Sequence, residues 1–345
     1  MARTVKRINL ALQGGGAHGA FTWGVLDRLL EEEWLEIAAI SGTSAGALNG
    51  AAVKSGLVSG GREGARAMLD RLWSRMGAVS DLRLPAWFGL VDPGQMARAL
   101  SHSLPFALGE LWSQAVSPYH YGPFWRNPLE PVVAEFDFDR VCAAEGPALF
   151  ICATRVRSGK IRVFSGEEIT TAAILASACL PNLFQAVEID DPVTGQREAY
   201  WDGGYTGNPA LFPLFAPDLP EDVVIVNINP LERDELPRSP QEIQNRINEI
   251  SFNSSLLREL RAIAFVQRLL AEGTLERGRM KRVLVHMIAD DALMRDLSVA
   301  TKIVPLPAVM ARLKSAGRAA AERFLAAHGD DLGTRATVDL AAMFN

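Results

Sequence analysis

The sequence has few cysteines, no long hydrophobic run and no excess of basic charge, and each shortage excludes a class of protein. Three cysteines in 345 residues, an odd number without the spacing of metal ligands, argue against a disulfide framework and indicate a reducing compartment. No uncharged apolar run approaches the roughly 18 residues of a transmembrane helix, and the N-terminal apolar stretch is too short for a signal peptide. A net charge of −5 gives no electrostatic footprint for nucleic-acid binding. We therefore expect a cytoplasmic protein with no transmembrane segment, nucleic-acid partner or bound metal.

Hydrophobic residues make up 48% of the chain, enough for a substantial core, and their pattern alternates between strand and helix. A strand at 7–12, a glycine-rich loop and an amphipathic helix over 17–33 are followed by a second strand from Leu35. Strands that alternate with helices predict an α/β fold around a mostly parallel central sheet. The chain shows neither repeats nor a clear linker, so we predict one domain over 1–345, made of a core and a C-terminal extension, about 6–230 and about 240–345.

The later part of the chain predicts further regular elements. They are a helix over 62–76, a β-hairpin turning at 157–160, a helix over 169–180, short strands at 182–189 and 196–201, a buried strand at 222–229, a long helix over 240–273, a last strand at 281–289 and a C-terminal helix over 308–329. Between them, residues 84–128 are rich in proline and aromatic residues. Two interpretations remain open for this stretch: an irregular insertion packed over the core, or a lid that meets lipid.

The most informative motif is Gly42-Thr43-Ser44-Ala45-Gly46, which joins the second strand to a small-residue helix. It has the pattern of a nucleophile elbow, a sharp turn that presents a serine hydroxyl and leaves no room for a Cβ at Gly42 and Gly46. The helix N-terminus also favours a developing anion beside Ser44. The alternative is an ordinary strand-to-helix turn with a surface serine.

A glycine run, Gly14-Gly15-Gly16, follows the first strand and opens a helix. Consecutive backbone N–H groups without side chains are suited to bind an oxyanion. Together with Gly19, this run also satisfies the Gly-x-Gly-x-x-Gly fingerprint of dinucleotide-binding loops, which requires an acidic residue at the end of the second strand. Here that strand ends in the serine motif instead, which favours the oxyanion hole.

A serine nucleophile needs a base, and none of the histidines is well placed to be one. His286 lies inside a strand-like segment and His328 closes a helix. Asp202, at a strand end and followed by Gly203 and Gly204, is the remaining candidate. An ordinary Asp-Gly turn is the alternative interpretation of that motif.

The three motifs, in this order, resemble those of the patatin-like phospholipases. The resemblance extends over about residues 6–230 and includes the segment ILASACLPNLFQAVEI and the pair Asn208-Pro209. It implies a three-layer α/β/α fold and a dyad in which Ser44 attacks an ester while Asp202 takes its proton directly. It also implies an oxyanion hole at Gly14, Gly15 and Gly16, with Gly42, Gly46, Gly203 and Gly204 as supporting glycines.

The implied activity is hydrolysis of fatty-acyl esters of phospholipids or lysophospholipids, by a protein that is cytoplasmic or peripheral at a membrane surface. No cofactor or metal is implied. Two other functions remain open: a broader carboxylesterase or polyester depolymerase with the same dyad, and a non-catalytic lipid-binding protein of the same fold.

The sequence departs from the family pattern at two places. His18 stands where many relatives carry Arg or Lys, so we expect any charge beside the glycine run to depend on pH. The segment DDPVTGQRE before Asp202 is longer than expected. In addition, four basic residues of the hairpin form either a patch for an anionic head group or a solvated face: Arg155, Arg157, Lys160 and Arg162.

Overall fold

The computed structural model describes residues 4–79, 116–124, 126–276, 278–297 and 299–344. Within these residues the strands form one sheet in the order β5-β6-β3-β2-β1-β7-β8, with β4 also paired to β3. Their bounds are β1 Lys6–Leu12, β2 Leu35–Thr43, β3 Ala148–Arg155, β4 Ile161–Ser165, β5 Val187–Asp191, β6 Gln196–Asp202, β7 Asp222–Val226 and β8 Leu284–Ile288.

The centre of this sheet is parallel, as the alternating pattern predicted. Strands β3, β2, β1, β7 and β8 pair in parallel, whereas β4, β5 and β6 pair antiparallel at one end. Parallel strands covered on both faces read as continuous apolar runs, and all five residues of β7 are buried. Alternate residues of β1 and β7 therefore face two different hydrophobic clusters.

Helices cover both faces of the sheet. Side chains of α1, α2 and α9 belong to the larger hydrophobic cluster and those of α6 and α10 to the smaller one, which confirms the three-layer α/β/α fold. The helix bounds are α1 Gly19–Leu29, α2 Ala45–Val79, α3 Glu130–Val133, α4 Phe138–Val141, α5 Thr171–Ser177, α6 Pro240–Ala271, α7 Asp291–Asp296, α8 Val299–Ile303, α9 Pro307–His328 and α10 Leu340–Phe344.

Most predicted elements are confirmed, with bounds that shift by a few residues. The helix predicted over 62–76 is the second half of α2, which is interrupted by non-helical backbone at Gly60 and Gly61. The hairpin, the strands around the turn before Asp202 and the long helix α6 are where the hydrophobic patterns placed them. Of the predicted insertion, residues 84–115 and Trp125 lie outside the described residues.

The basic residues of the hairpin do not form one solvated face or one head-group patch. Arg162 is buried, and it and Arg155 both form ion pairs with the buried carboxylate of Asp191, at 3.3 and 2.7 Å. Arg157 and Lys160 are exposed. Both interpretations, a solvated face and a head-group patch, were therefore wrong for Arg155 and Arg162. Their partner Asp191 lies on β5, and its closeness to the hairpin depends on the tertiary structure.

Helices α1 and α9 cross at close range through two glycines. A Cβ on Gly24 would collide with the Lys314 carbonyl oxygen, and a Cβ on Gly317 with that of Phe21. This contact joins the C-terminal part of the chain to the helix that follows the glycine run.

We expect Gly24→Ala to lower the free energy of unfolding by about 1–3 kcal/mol, because the added methyl group forces the two helices apart. Gly60→Ala is the matched control, since a Cβ there meets nothing within 4 Å and should change stability by less than about 0.5 kcal/mol. Chemical denaturation of both variants is the measurement. Equal losses of stability in the two variants would show that the crossing of α1 and α9 is not tightly packed.

Candidate active site

Ser44 lies at the turn between β2 and α2 in a strained backbone conformation. Its φ is +54°, and it is the only non-glycine residue with a positive φ in the described part of the chain. Such a conformation is costly for a residue with a Cβ and persists only when its surroundings enforce it. Here the Ser44 N–H donates to Ser177 Oγ at 2.9 Å, and Ser177 Oγ donates to the Cys152 carbonyl at 2.6 Å. The turn is thus anchored to the neighbouring strand.

Strand pairing brings Asp202 to the same place. Strand β3 pairs with β2 over its first residues and with β6 over its last residues, while β4 pairs across both stretches. A strand has only two edges, so β2 and β6 lie end to end along one edge of β3. The last β2 pair is Thr43 with Cys152, and the next residue, Ala153, pairs with Asp202. Asp202 therefore lies beside the end of β2, which Ser44 directly follows.

The Asp202 carboxyl group is fully buried. Its Oδ1 accepts a hydrogen bond from the Gly204 N–H at 2.7 Å, and its Oδ2 has no hydrogen-bond partner among the described residues. Burial raises the pKa of Asp202 from 3.8 to about 7, against the lowering effects of the Gly204 N–H and the Ser44 hydroxyl. A carboxylate with that pKa, adjacent to a serine, is able to accept a proton near neutral pH.

Aromatic side chains pack beside the backbone that carries this carboxyl group. A Cβ on Gly204 would collide with the ring of Phe252, so the absence of a side chain lets the ring pack directly over the backbone beside Asp202. The Tyr205 ring packs edge-on against Phe252, with centroids 5.2 Å apart. Asp202 in turn contributes to raising the pKa of Tyr205 to about 12, although burial is the larger cause.

The glycine run lies against the serine turn. A Cβ on Gly14 would be 2.7 Å from Ser44 Cβ. The Gly14 N–H, however, donates to Asn208 Oδ1 at 2.7 Å, so of the three glycines that the resemblance implies for the oxyanion hole, Gly14 has its N–H already bonded within the protein. Gly15 and Gly16 are partly exposed, and in the part of the chain that the structure describes their N–H groups have no acceptor. These two amides are therefore the donors left at this loop.

A cluster of buried side-chain amides holds the loop in place, and the sequence analysis missed it. Gln13 Oε1 accepts from the backbone N–H of Asn229 at 3.1 Å, and Gln13 Nε2 donates to Asn253 Oδ1 at 3.2 Å. Asn229 Nδ2 donates to the Gly14 carbonyl at 2.8 Å. A signal was present, since Asn227 and Asn229 end the apolar run at 222–229, but nothing local connects them to the glycine run.

His18 does not provide the pH-dependent charge expected beside the loop. Its ring is buried and its Nε2 is bonded to Thr301 Oγ1 at 2.8 Å. Burial, and then the charge of Lys302, lower the pKa of His18 well below 6.5, so the ring is neutral at neutral pH. The expectation was wrong because the sequence shows neither that His18 becomes buried nor that the charge of Lys302 on α8 lies close enough to act on it.

The two histidines considered as alternative bases both have other partners. His286 lies on the edge strand β8, separated from β2 by β1 and β7, and its Nε2 is bonded to Asp222 Oδ1 at 2.9 Å. His328 Nδ1 is bonded to Asp331 at 3.0 Å. Neither histidine is part of the Ser44 turn.

The described residues contain neither a candidate metal site nor a candidate membrane span. In those ranges no group of three or more His, Cys, Asp or Glu side chains is placed to hold a metal ion. Nor does any helix described there combine the length and hydropathy of a membrane span.

Comparisons with solved structures find similarity at low sequence identity. A search of curated proteins finds no match. Among solved structures, VipD from Legionella pneumophila is similar with a TM-score of 0.39 and 14% identity, over 94% of this chain and 67% of that one. ExoU from Pseudomonas aeruginosa, in complex with SpcU, is similar in two structures, with TM-scores of 0.30 and 0.29, identities of 14% and 19%, and 93% and 99% of this chain covered. The alignments cover 53% and 65% of the ExoU chains.

A sequence profile decides the family. The profile described as Patatin-like phospholipase matches residues 10–215, a range that includes the glycine run, the Ser44 turn and Asp202. Because the match covers more than half of the 345 residues, the chain belongs to the patatin-like phospholipases, a family of lipid acyl hydrolases.

Proposed function

We propose that this protein hydrolyses fatty-acyl esters of phospholipids or lysophospholipids at a lipid surface, with Ser44 as nucleophile and Asp202 as the only general base. The observation that carries the proposal is the buried Asp202 carboxyl group beside the strained Ser44 turn, with its pKa raised to about 7. Family membership supplies the substrate class.

In the first step, Ser44 Oγ attacks the ester carbonyl while its proton passes to the Asp202 carboxylate. An ordinary aspartate is a weak base for a serine, so raising the pKa of Asp202 brings it closer to the value that proton transfer requires. The unpartnered Oδ2 is the atom available to receive the proton.

The negative charge that develops on the carbonyl oxygen is stabilised by backbone N–H groups. Those of Gly15 and Gly16 have no acceptor in the described ranges. Helix α2 begins at Ala45, so the N–H groups of its first two residues also lack an intrahelical acceptor. Preorganised donors of this kind commonly contribute more to catalysis than any other single effect. Gly14 contributes by its close packing against Ser44 rather than as a donor.

The tetrahedral intermediate then collapses, the ester C–O bond breaks, and the leaving alcohol takes the proton from Asp202. Water attacks the acyl-enzyme in the second half of the reaction. Asp202 accepts a proton from that water and returns one to Ser44 Oγ as the fatty acid leaves. Every step uses groups of this chain, the substrate and water.

The test combines a substrate panel with chemical labelling of the wild-type protein. Release of fatty acid from mixed micelles of phosphatidylcholine, phosphatidylethanolamine, phosphatidylglycerol and their lysophospholipids would be measured with EDTA present. A fluorophosphonate probe would be added in parallel, and the labelled peptide identified by mass spectrometry. We expect lipid hydrolysis, loss of hydrolysis after labelling, and the label on Ser44.

Other outcomes would select the other functions. Labelling of Ser44 with hydrolysis of a soluble short-chain ester but of no lipid would establish a broader esterase. Absence of both labelling and hydrolysis would overturn the proposal in favour of a lipid-binding protein.

A further inference from the structure

The glycine run is held from one side by α8, a short helix beyond the region that the family profile matches. Thr301 Oγ1 is bonded to His18 Nε2 at 2.8 Å, at the end of the turn that begins with Gly16. The Lys302 carbonyl oxygen occupies the space that a Cβ on Gly16 would need. Residues of the C-terminal part of the chain therefore pack directly on the loop that supplies the oxyanion donors.

The Lys302 side chain reaches the same loop through Asn229. Lys302 Nζ donates to Asn229 Oδ1 at 2.9 Å, and Asn229 Nδ2 donates to the Gly14 carbonyl oxygen at 2.8 Å. The Gly14 carbonyl and the Gly15 N–H belong to one planar peptide group. A hydrogen bond accepted by the carbonyl therefore polarises the N–H on the opposite side of that peptide, because hydrogen bonds in a chain strengthen one another.

We propose that Lys302 is a positioning residue which, through Asn229, orients and polarises the Gly14–Gly15 peptide so that the Gly15 N–H binds the oxyanion more strongly. This inference rests on the proposed acyl hydrolysis by Ser44. It assigns Lys302 the charged position beside the loop that His18 does not fill.

Burial, together with the charges around Lys302, determines the pH range in which its ammonium group is present. Glu249 faces it from α6, Arg233 from the segment between β7 and α6, and His18 from the turn after the glycine run. Burial and Arg233 lower the pKa of Lys302 while Glu249 raises it, with a net lowering from 10.5 to about 8. Lys302 is therefore charged at neutral pH and loses its charge as the pH rises through about 8.

The experiment measures kcat and KM against pH for the wild type, Lys302→Met, Lys302→Arg and the control Lys281→Met, with one ester substrate. Lys281 is also half-buried, has a lowered pKa and donates to backbone carbonyls, among them those of Ala216 and Leu219 at 2.8 and 2.7 Å. None of the carbonyls to which its described hydrogen bonds go belongs to the glycine run.

We expect Lys302→Met to lower kcat about tenfold with KM nearly unchanged, a smaller loss than the 10²–10³ caused by removing an oxyanion donor outright. The wild-type kcat should fall as the pH rises through about 8, and Lys302→Met should lack this decline. Lys302→Arg, which keeps its charge, should retain activity above that pH. Lys281→Met should keep the wild-type kcat and pH profile even if it is less stable.

A Lys302→Met variant with wild-type kcat, or one that keeps the alkaline decline of kcat, would overturn the proposed role of Lys302 while leaving the proposed function intact. If Lys302→Met does not fold, identical alkaline declines in the wild type and Lys302→Arg would overturn it. A wild-type protein that neither hydrolyses esters nor is labelled at Ser44 would instead contradict the proposed function, and with it the proposed role of Lys302.

Discussion

Ser44→Ala is expected to lower kcat for ester hydrolysis by about 10⁶-fold, the size of loss seen when a serine hydrolase loses its nucleophile. The reason is that no acyl-enzyme forms without Ser44 Oγ, and the remaining groups only bind and polarise the ester. KM should change little, since the hydroxyl contributes mainly to bond formation. Steady-state hydrolysis of a chromogenic ester and of a micellar phospholipid would measure both constants.

A buried serine on the preceding strand provides the matched control. Ser41 Oγ donates to the Ala210 carbonyl at 2.5 Å, so Ser41→Ala removes a hydroxyl and a hydrogen bond without touching the turn. We expect it to retain most of its kcat and to lose stability by about 1 kcal/mol. Substantial hydrolysis by Ser44→Ala, in a preparation free of contaminating esterase, would show that another residue is the nucleophile.

Asp202→Asn is expected to lower kcat by about 10⁴-fold, comparable to the loss of the triad aspartate in serine proteases. An amide keeps the size of the carboxyl group but cannot accept the serine proton. Because only ionised Asp202 acts as a base, the wild-type kcat should rise with pH through about 7, the value to which burial raises its pKa. Together with the decline of kcat that we expect as Lys302, with its pKa lowered to about 8, loses its charge, this predicts a narrow pH optimum.

The same carboxyl group should make the protein less stable as the pH rises, whereas it makes kcat rise. Folding raises the pKa of Asp202 from 3.8 to about 7. The folded protein therefore binds a proton at this carboxyl group more tightly than the unfolded chain does. Its contribution to stability is therefore fully present below about 3.8 and is lost as the pH rises through about 7. Asp202→Asn should lose this dependence, which thermal unfolding at several pH values would detect.

Asp222→Asn is the control for both measurements. Asp222 is also buried, but it is bonded to His286 on the edge strand. We expect this substitution to reduce stability without removing the rise of kcat through about 7. A wild-type kcat that does not vary between pH 5 and pH 8 would contradict the role of Asp202 as the base.

Local sequence patterns predicted most of the fold because the preferences that form strands, turns and helices depend on only a few neighbouring residues. The apolar run into Ser44 and the small residues after it specify a strand, a tight turn and a helix, and the structure has β2, the turn and α2 there. Alternation of strands with helices likewise predicted the parallel sheet. The element bounds shifted by a few residues because capping and fraying depend on neighbouring elements.

The roles inferred from isolated side chains were less secure. His18 was expected to carry a pH-dependent charge, and the hairpin arginines were expected to be solvated or to meet a head group. The first expectation failed, and the second failed for Arg155 and Arg162, because burial and ion pairing depend on partners that are distant in sequence, such as Lys302 and Asp191. The amide cluster around Gln13 was missed for the same reason, since its hydrogen bond to Asn229 spans 216 positions.

The sequence by itself determined the local geometry of this protein: a serine at a tight strand-to-helix turn, a glycine run without side chains, and an aspartate at a strand end. Only the tertiary structure decided how these pieces act on one another. The register of β3 places Asp202 beside Ser44, burial raises the pKa of that carboxyl group, and α8 brings Lys302 to the glycine run. Backbone preferences are local, whereas desolvation and electrostatic interaction depend on every segment that packs around a group.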